Sequence, residues 1–316
     1  MAVTLKKAVV IGATGPTGIH LARELVRRQV EVRVVSRSSA RLEHAFPGGA
    51  WELSAADALD PAALQRAVAG CDVVIDCIGL PPDRMADHET TARNIVAAAR
   101  GAGARCLQVS SFWGFLPMRR LPLDETHPRQ GGNTYAQARR AAENVMLEAG
   151  AAVVHLPDFF GPGVHVSTLQ QPLQEAAAGK TMNWIGAKDT RREYVYVPDA
   201  MAIVADLLHR QEAYGSSWVF PGSGPLDGQK TARIAGGHLG RPVKLRAAPR
   251  WLLRGLALVS ADLRAFLPIL DDYLQPMSYD AGRLAALLGP LRMTPYSEAI
   301  PATLDWLAAR NDRSDP

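Results

Sequence analysis

Three glycines spaced three apart are the first residues that could do chemistry: Gly12-Ala13-Thr14-Gly15-Pro16-Thr17-Gly18 follows the apolar run Ala8 to Ile11 and precedes a stretch of helical spacing. A backbone without Cβ atoms can turn sharply there and approach a pyrophosphate closely, while the first amides of the helix offer it the positive end of a dipole. Gly12, Thr14, Gly15, Pro16, Thr17 and Gly18 are therefore candidate binders of a dinucleotide. A second apolar run, Glu31 to Val35, ends in Ser36-Arg37-Ser38 with no acid before Glu43. An acid at that place would take the ribose 2′-hydroxyl of NAD, whereas a hydroxyl and a guanidinium suit the 2′-phosphate of NADP, in a charge-assisted contact of about 1.5 to 3 kcal/mol. Ser36 and Arg37 thus favour NADP, with NAD left open. Asp57 has two readings: it accepts from the adenine amino group, or it caps the helix that starts at Pro61, a job for which Asp60 is better placed.

These residues need a frame that holds them at one edge. Short apolar runs at Ala8 to Ile11, Glu31 to Val35, Trp51 to Leu53, Asp72 to Ile78, Arg105 to Val109 and Ala152 to Leu156 read as strands. Between them lie helices predicted at 17–28, 38–45, 61–69, 86–101 and 135–149. Continuous apolar strands separated by helix-length segments demand right-handed crossovers and a sheet covered on both faces, which is a doubly wound parallel α/β domain of the Rossmann type. Beyond residue 160 the alternation stops, and Phe160-Gly-Pro-Gly163 and Phe220-Pro-Gly-Ser-Gly-Pro225 mark changes of direction. The expected division is a dinucleotide-binding domain at 1–163 plus about 193–222, and a smaller substrate lobe at about 164–192 plus 223–316.

Composition narrows the classes. With 316 residues, 47% hydrophobic and 21% charged, the chain can build a sizeable core and is not disordered. The greasiest stretch, Trp251 to Leu270, is interrupted by Arg254, Asp262 and Arg264 and reads as an amphipathic helix, not as a membrane span. No secretory signal pattern opens the chain, so a cytoplasmic protein with no membrane partner is expected. Cys71, Cys77 and Cys106 are expected to be inert core thiols. The net charge of +4 comes with 29 arginines among 35 basic residues, and they alternate with acids instead of forming a patch, which argues against a nucleic-acid partner. His127, His155 and His165 lack metal-ligand spacing, and no metal is expected. The six lysines leave none between Lys7 and Lys180.

Taken together, Gly12 to Gly18, Asp57-Ala-Leu-Asp60, Val74-Ile-Asp-Cys-Ile-Gly79, Val109-Ser-Ser111, Leu123-Asp-Glu-Thr-His-Pro128, Tyr135-Ala-Gln-Ala-Arg139, Leu156-Pro-Asp-Phe-Phe-Gly-Pro-Gly163 and Arg192-Glu-Tyr-Val-Tyr-Val-Pro-Asp199 resemble the extended short-chain dehydrogenase/reductase family, over most of the chain. That family includes NAD(P)-dependent epimerases, dehydratases and carbonyl reductases. The resemblance implies that Tyr135 exchanges the proton, that Ser111 orients the substrate oxygen with Ser110 as fallback, and that Arg139 stands where the family has a lysine that holds the ribose and lowers the tyrosine pKa. A phenol titrates near 10, so proton exchange near neutrality asks for about 4 kcal/mol of phenolate stabilisation. A cation within roughly 4 to 6 Å supplies part of it; arginine keeps the charge, but its fork is bulkier than an ammonium.

The resemblance also implies that Ala58, Ile78, Gly79, Pro157 and Phe159 contact the cofactor and that Asp158 and Arg192 face a small-molecule substrate, Arg192 matching an arginine that binds the diphosphate of nucleotide sugars; Trp113 and Trp184, with Phe112, Phe115 and Tyr273, either line a site for a bulky hydrophobic substrate or belong to a core. It implies a homodimer through a four-helix contact, for which Ala136, Arg140, Ala141 and Asn144 offer a small-residue face. Three functions follow as expectations: an NADP(H)-dependent oxidoreductase interconverting a carbonyl and a secondary alcohol; a nucleotide-sugar epimerase or dehydratase; and an NmrA-like dinucleotide-binding regulator without catalysis.

Overall fold

A computed structural model describes residues 4–311. Its centre is a sheet of seven strands, β1 (Lys7–Ile11), β2 (Glu31–Ser36), β3 (Glu52–Ala55), β4 (Val73–Asp76), β5 (Arg105–Ser111), β6 (Ala152–Leu156) and, after four short strands β7 (Phe159–Phe160), β8 (Met182–Ile185), β9 (Arg192–Glu193) and β10 (Val195–Tyr196), β11 (Ser217–Val219). The order across the sheet is β3-β2-β1-β4-β5-β6-β11, and every neighbouring pair is parallel. The first six strands fall where the apolar runs predict them. The crossover helices are α1 (Pro16–Arg27), α2 (Ser39–Ala45), α3 (Pro61–Val68), α4 (Asp87–Ala102) and α5 (Thr134–Glu148). Later come α6 (Gln170–Ala177), α7 (Val197–Leu208), α8 (Gly228–Leu239), α9 (Arg250–Leu256), α10 (Ala261–Phe266), α11 (Leu270–Tyr273), α12 (Gly282–Leu288) and α13 (Tyr296–Asn311), with strands β12 (Pro225–Leu226) and β13 (Leu245–Ala248).

Alternate side chains of each strand serve opposite faces, as the pleat requires. Val10, Val34, Ile75, Leu107 and Val154 pack under α1, α2 and α7, and Val9, Val35, Val74, Cys106 and Val153 pack under α3, α4 and α5. The helix starts are capped where the sequence offers short polar side chains: Ser38 accepts from Arg41 N, Asp60 from Ala62 N and Ala63 N, and Asn133 from Ala136 N. β4 stops two residues short of the predicted end because Asp76 Oδ1 turns back to accept from Ile78 N at 2.9 Å. The strand order reverses between β1 and β4, whose ends Ile11 and Asp76 lie side by side, so the crevice for a ligand opens there.

A second cluster is built by Leu169, Leu173, Met182, Trp184, Tyr194, Leu226 and the apolar side of α13. Two expectations need correction. The stretch 281–293 does not stay in the smaller lobe, since Leu284 is buried in the core under the sheet and Leu287, Leu288, Leu291 and Met293 pack against it. The stretch 251–270 is no continuous helix, because the chain leaves α9 at Ala257 and restarts at α10, where Ser260 Oγ accepts from Leu263 N. On α5 the small-residue face is narrower than expected: Ala136 is fully buried, and Arg140 donates to the carbonyls of Gly114, Leu116 and Gly131.

Candidate active site

The glycine turn divides into three jobs. Gly12 has φ +77°, where a side chain is strained, and a Cβ there would lie 2.9 Å from the Cys77 carbonyl group. A Cβ on Gly18 would lie 2.6 Å from Ala13 Cα, so Gly18 lets α1 sit on the turn and does not itself line the site. Gly15 has ordinary extended backbone, φ −80° and ψ 164°, and a Cβ there would meet only Gly12 O, at 3.4 Å. α1 starts at Pro16 with no side-chain cap and no acid in its first turn, which leaves its amides and dipole for an anion.

A cavity of about 700 Å³ extends from this turn. Gly12, Thr14, Gly15, Pro16 and Thr17 line its middle; Ser36, Arg37, Ser38, Arg41, Asp57 and Ala58 line one side, and Ile78, Gly79 and Phe159 another. The size and the unfilled space over Gly15 fit a dinucleotide. Thr14 Oγ1 donates to Ser36 Oγ at 3.3 Å, tying the turn to the end of β2. Asp57 Oδ1 accepts from Leu59 N at 3.0 Å, and the capping of α3 falls to Asp60. Arg41, Arg84 and Thr91 also line the cavity. Sequence reading missed them, although Arg41 lies four residues after Arg37 on the helix that Ser38 caps. Pro157 is buried and is not part of the wall.

None of Ser111, Tyr135 and Arg139 lines this cavity. Tyr135 is buried on α5; its hydroxyl donates to Ala265 O at 2.7 Å and its ring stacks on Trp113, centroids 5.9 Å apart. Burial pushes the phenol above its ordinary pKa and keeps it a proton donor. Trp113 Nε1 donates in turn to Tyr273 Oη at 3.0 Å, so Tyr135 and Trp113 both bond to the 265–273 segment. Ser111 Oγ accepts weakly from Trp113 N, at 3.4 Å, and its proton is left for another acceptor. Ser110 is committed elsewhere: its hydroxyl donates to Glu143.

Glu143 follows Tyr135 and Arg139 at successive steps of four along the inner side of α5. It is fully buried and also receives Arg129 Nη2, and it stands 3.5 Å from His155 Nδ1. Burial lowers the Arg139 pKa, and the charges of Glu143 and Asp76 oppose that shift. Asp76 is buried where the strand order reverses, accepts from Gln108 Nε2 at 3.0 Å, and has its carboxyl pushed up by that burial. His88 and His155 are driven down by burial, to about 2 and about 4, and stay neutral. The one signal for Glu143 in the sequence is its place two steps of four beyond Tyr135.

The expected substrate contacts largely dissolve into packing. Asp158 accepts from Thr168 N at 3.0 Å and from its hydroxyl, which fastens the 158–168 loop. Trp184 is core of the smaller lobe, with Gly228 packed on its ring. Arg192 is 3% exposed, and its Nη2 donates to the carbonyls of Ile185 and Tyr273, so it is not presented to a diphosphate. Trp113 alone of the four lies against Tyr135.

The fold and the glycine cradle define a dinucleotide-binding α/β protein. Residues 12–154 match the NAD(P)H-binding family model and form an NAD(P)H-binding domain. A curated relative, a dTDP-4-dehydrorhamnose reductase of Mycobacterium tuberculosis, is 28% identical over 172 residues, 49% of this chain and 50% of its own. The chain spans about half the length of the curated relatives it matches. Among solved structures, an epimerase from Methanothermobacter thermautotrophicus superposes with a TM-score of 0.82 at 17% identity, over 98% of this chain and 94% of that one. UDP-glucuronic acid 4-epimerase from Bacillus cereus, in complex with NAD, gives 0.79 at 13% identity, over 96% and 99%. The chain thus shares the fold of these epimerases.

Proposed function

We propose that the protein is an NADP(H)-dependent oxidoreductase that reduces a carbonyl to a secondary alcohol. The observation that carries this reading is the cavity over Gly15, whose β2 side presents Ser36, Arg37, Ser38 and Arg41 and no carboxylate from the strand end. The bound nicotinamide would supply the hydride. Gly15, Thr17 and the first turn of α1 hold the diphosphate, and Arg37 with Arg41 takes the 2′-phosphate. Ser111 donates its hydroxyl to the substrate oxygen, and Tyr135 gives that oxygen its proton after exchanging Ala265 O for it. A phenol kept protonated by burial suits the direction of reduction. Arg139 carries a positive charge one helical turn beyond Tyr135, favoured by the nearby charges of Glu143 and Asp76. The reductase named among the curated relatives supports this reaction class, and the burial of Arg192 favours an apolar carbonyl compound over a nucleotide sugar.

The test is a fluorescence titration with NADPH and, separately, NADH, followed by turnover of ketones and aldehydes with Tyr135→Phe as control. NADPH should bind at least about tenfold tighter, and the variant should lose turnover while its cofactor affinity stays within a few-fold. Turnover undiminished in Tyr135→Phe would sink the assignment. A second reading, epimerisation or dehydration of a nucleotide sugar, is favoured by the full-length superposition on NAD-bound epimerases; NAD copurifying with the protein would put it first. Binding without turnover on any carbonyl would favour the regulator. A homodimer through the exposed part of α5 belongs to the same proposal and is read by sedimentation.

A further inference from the structure

The wall of the dinucleotide cavity holds a third guanidinium, Arg84, to which the contacts above give no role. Arg37 and Arg41 reach the cavity from the end of β2 and the first turn of α2, whereas Arg84 reaches it from the segment that follows β4. β1 lies between these two strands, so the arginines stand on opposite flanks of the glycine turn. The segment that carries Arg84 starts against that turn: Ile11 and Asp76 are register partners, and a Cβ on Gly12 would lie 2.9 Å from the Cys77 carbonyl group and 3.0 Å from Ile78 Cα. Its backbone is fixed on both sides of the arginine. Arg84 N donates to Pro81 O at 2.9 Å, closing the helical turn Pro82–Arg84, and Met85 is buried in the cluster that contains Tyr135, its carbonyl accepting from His88 N at 3.2 Å.

What can turn is the side chain. Its Nε and Nη2 both donate to a single oxygen, Asp87 Oδ2, at 2.8 and 2.7 Å. Asp87 does not line the cavity, so the pair straddles the rim. The two side chains are three residues apart and 30% and 36% exposed, which is the setting of a weak, solvent-screened ion pair. Asp83 is exposed and also lies outside the wall, and Asp57 is the one carboxylate among the lining residues, with its Oδ1 already accepting from Leu59 N. A phosphate offers a guanidinium two separate oxygens for two parallel N–H bonds, a stronger arrangement than two N–H groups crowded on one oxygen.

We propose that Arg84 is a diphosphate-binding residue that Asp87 holds at the rim: when a dinucleotide enters, the guanidinium turns from Asp87 Oδ2 to the diphosphate and closes on it from the β4 side. NADPH and NADH share the diphosphate, so Arg84 adds affinity for both, while Arg37 and Arg41 choose between them. Asp87 sets the strength of this contact, because the arginine must give up the pair to make it. The inference rests on the dinucleotide reading of the cavity and not on the reductase reaction.

The test is fluorescence titration of the whole chain and its variants with NADPH and with NADH, beside melting without ligand. Arg84→Gln is expected to weaken both dinucleotides about tenfold and to leave their ratio unchanged. Asp87→Asn keeps a short polar side chain at the start of α4 and is expected to tighten both a few-fold, an effect that vanishes when Arg84→Gln is also present. Both variants should melt with the parent, since the pair they break is exposed to solvent. A pair that only fastens the segment would make both variants weaken binding alike, and that result overturns the proposal. So does a loss confined to NADPH, which would assign Arg84 to the 2′-phosphate, and so does tightening by Asp87→Asn that persists beside Arg84→Gln, which would be the Asp87 charge acting alone. A parent chain that binds neither dinucleotide overturns the proposal together with the reading of the cavity. A parent that binds both, with Arg84→Gln binding equally well, overturns this proposal alone.

Discussion

Replacing each of the three glycines by alanine separates folding from binding, because the space around each is different. At Gly15 the backbone is already extended and a methyl group meets only Gly12 O at 3.4 Å. Alanine also restricts the unfolded chain, worth about 0.4 to 1 kcal/mol of stability, so Gly15→Ala should melt within about 1 kcal/mol of the parent. Its methyl group nevertheless occupies the space a diphosphate needs, and losing one charge-assisted contact of about 1.5 to 3 kcal/mol weakens binding roughly ten- to a hundredfold. At Gly18 the new Cβ falls 2.6 Å from Ala13 Cα, 2.7 Å from Gly12 O and 2.8 Å from Ala13 O, all of them backbone atoms. The turn must open to admit it, at about 3 kcal/mol or more. The assay is thermal melting without and with NADPH at a hundredfold excess over the parent dissociation constant, which should stabilise the parent by about 2.7 kcal/mol. Gly15→Ala should keep the unliganded melting temperature and lose about half of the shift or more, and Gly18→Ala should melt early. A Gly15→Ala protein that keeps the full shift, or a Gly18→Ala protein as stable as the parent, would refute the assignment of the three positions.

Three further outcomes are expected. Arg37→Glu with Arg41→Ala should weaken NADPH binding about ten- to a hundredfold and leave NADH within a few-fold, measured by the same titration. Glu143→Ala leaves Arg129 and the Ser110 hydroxyl without their buried carboxylate and should cost about 3 to 5 kcal/mol in urea unfolding, with circular dichroism of the folded state unchanged. His88 and His155 titrate far lower folded than the 6.5 of an exposed histidine, so the unfolded chain binds the extra protons: their contribution is whole above pH 6.5 and lost as pH falls. By pH 5 each should have cost about 2 kcal/mol. Flat stability between pH 7 and 5 would show that these rings are not buried as neutral groups.

What the sequence alone settled is what neighbouring residues enforce on one another. The alternation of apolar runs with helical stretches placed six strands and five helices to within a few residues, because parallel strands buried on both sides must read as continuous apolar runs. The glycine turn was legible for the same reason, since φ +77° at Gly12 and the close packing at Gly18 are demands on single residues. The end of β2, with Ser36 and Arg37, was legible because the strand and the helix fix where its side chains arrive.

Tertiary structure decided the rest. That Tyr135 gives its hydroxyl to Ala265, 130 residues away, that Arg192 spends its guanidinium on two carbonyls, and that Trp184 is core are outcomes of how the smaller lobe folds back onto the sheet. No local pattern encodes them, because an arginine or tryptophan has the same spacing whether it faces a substrate or fills a core. Glu143 shows the boundary between the two: its place on the Tyr135 side of α5 is in the sequence, but that this side is the dry interior, with Ser110, Arg129 and His155 gathered around the carboxylate, is fixed only when β5, β6 and the 129 loop close over it.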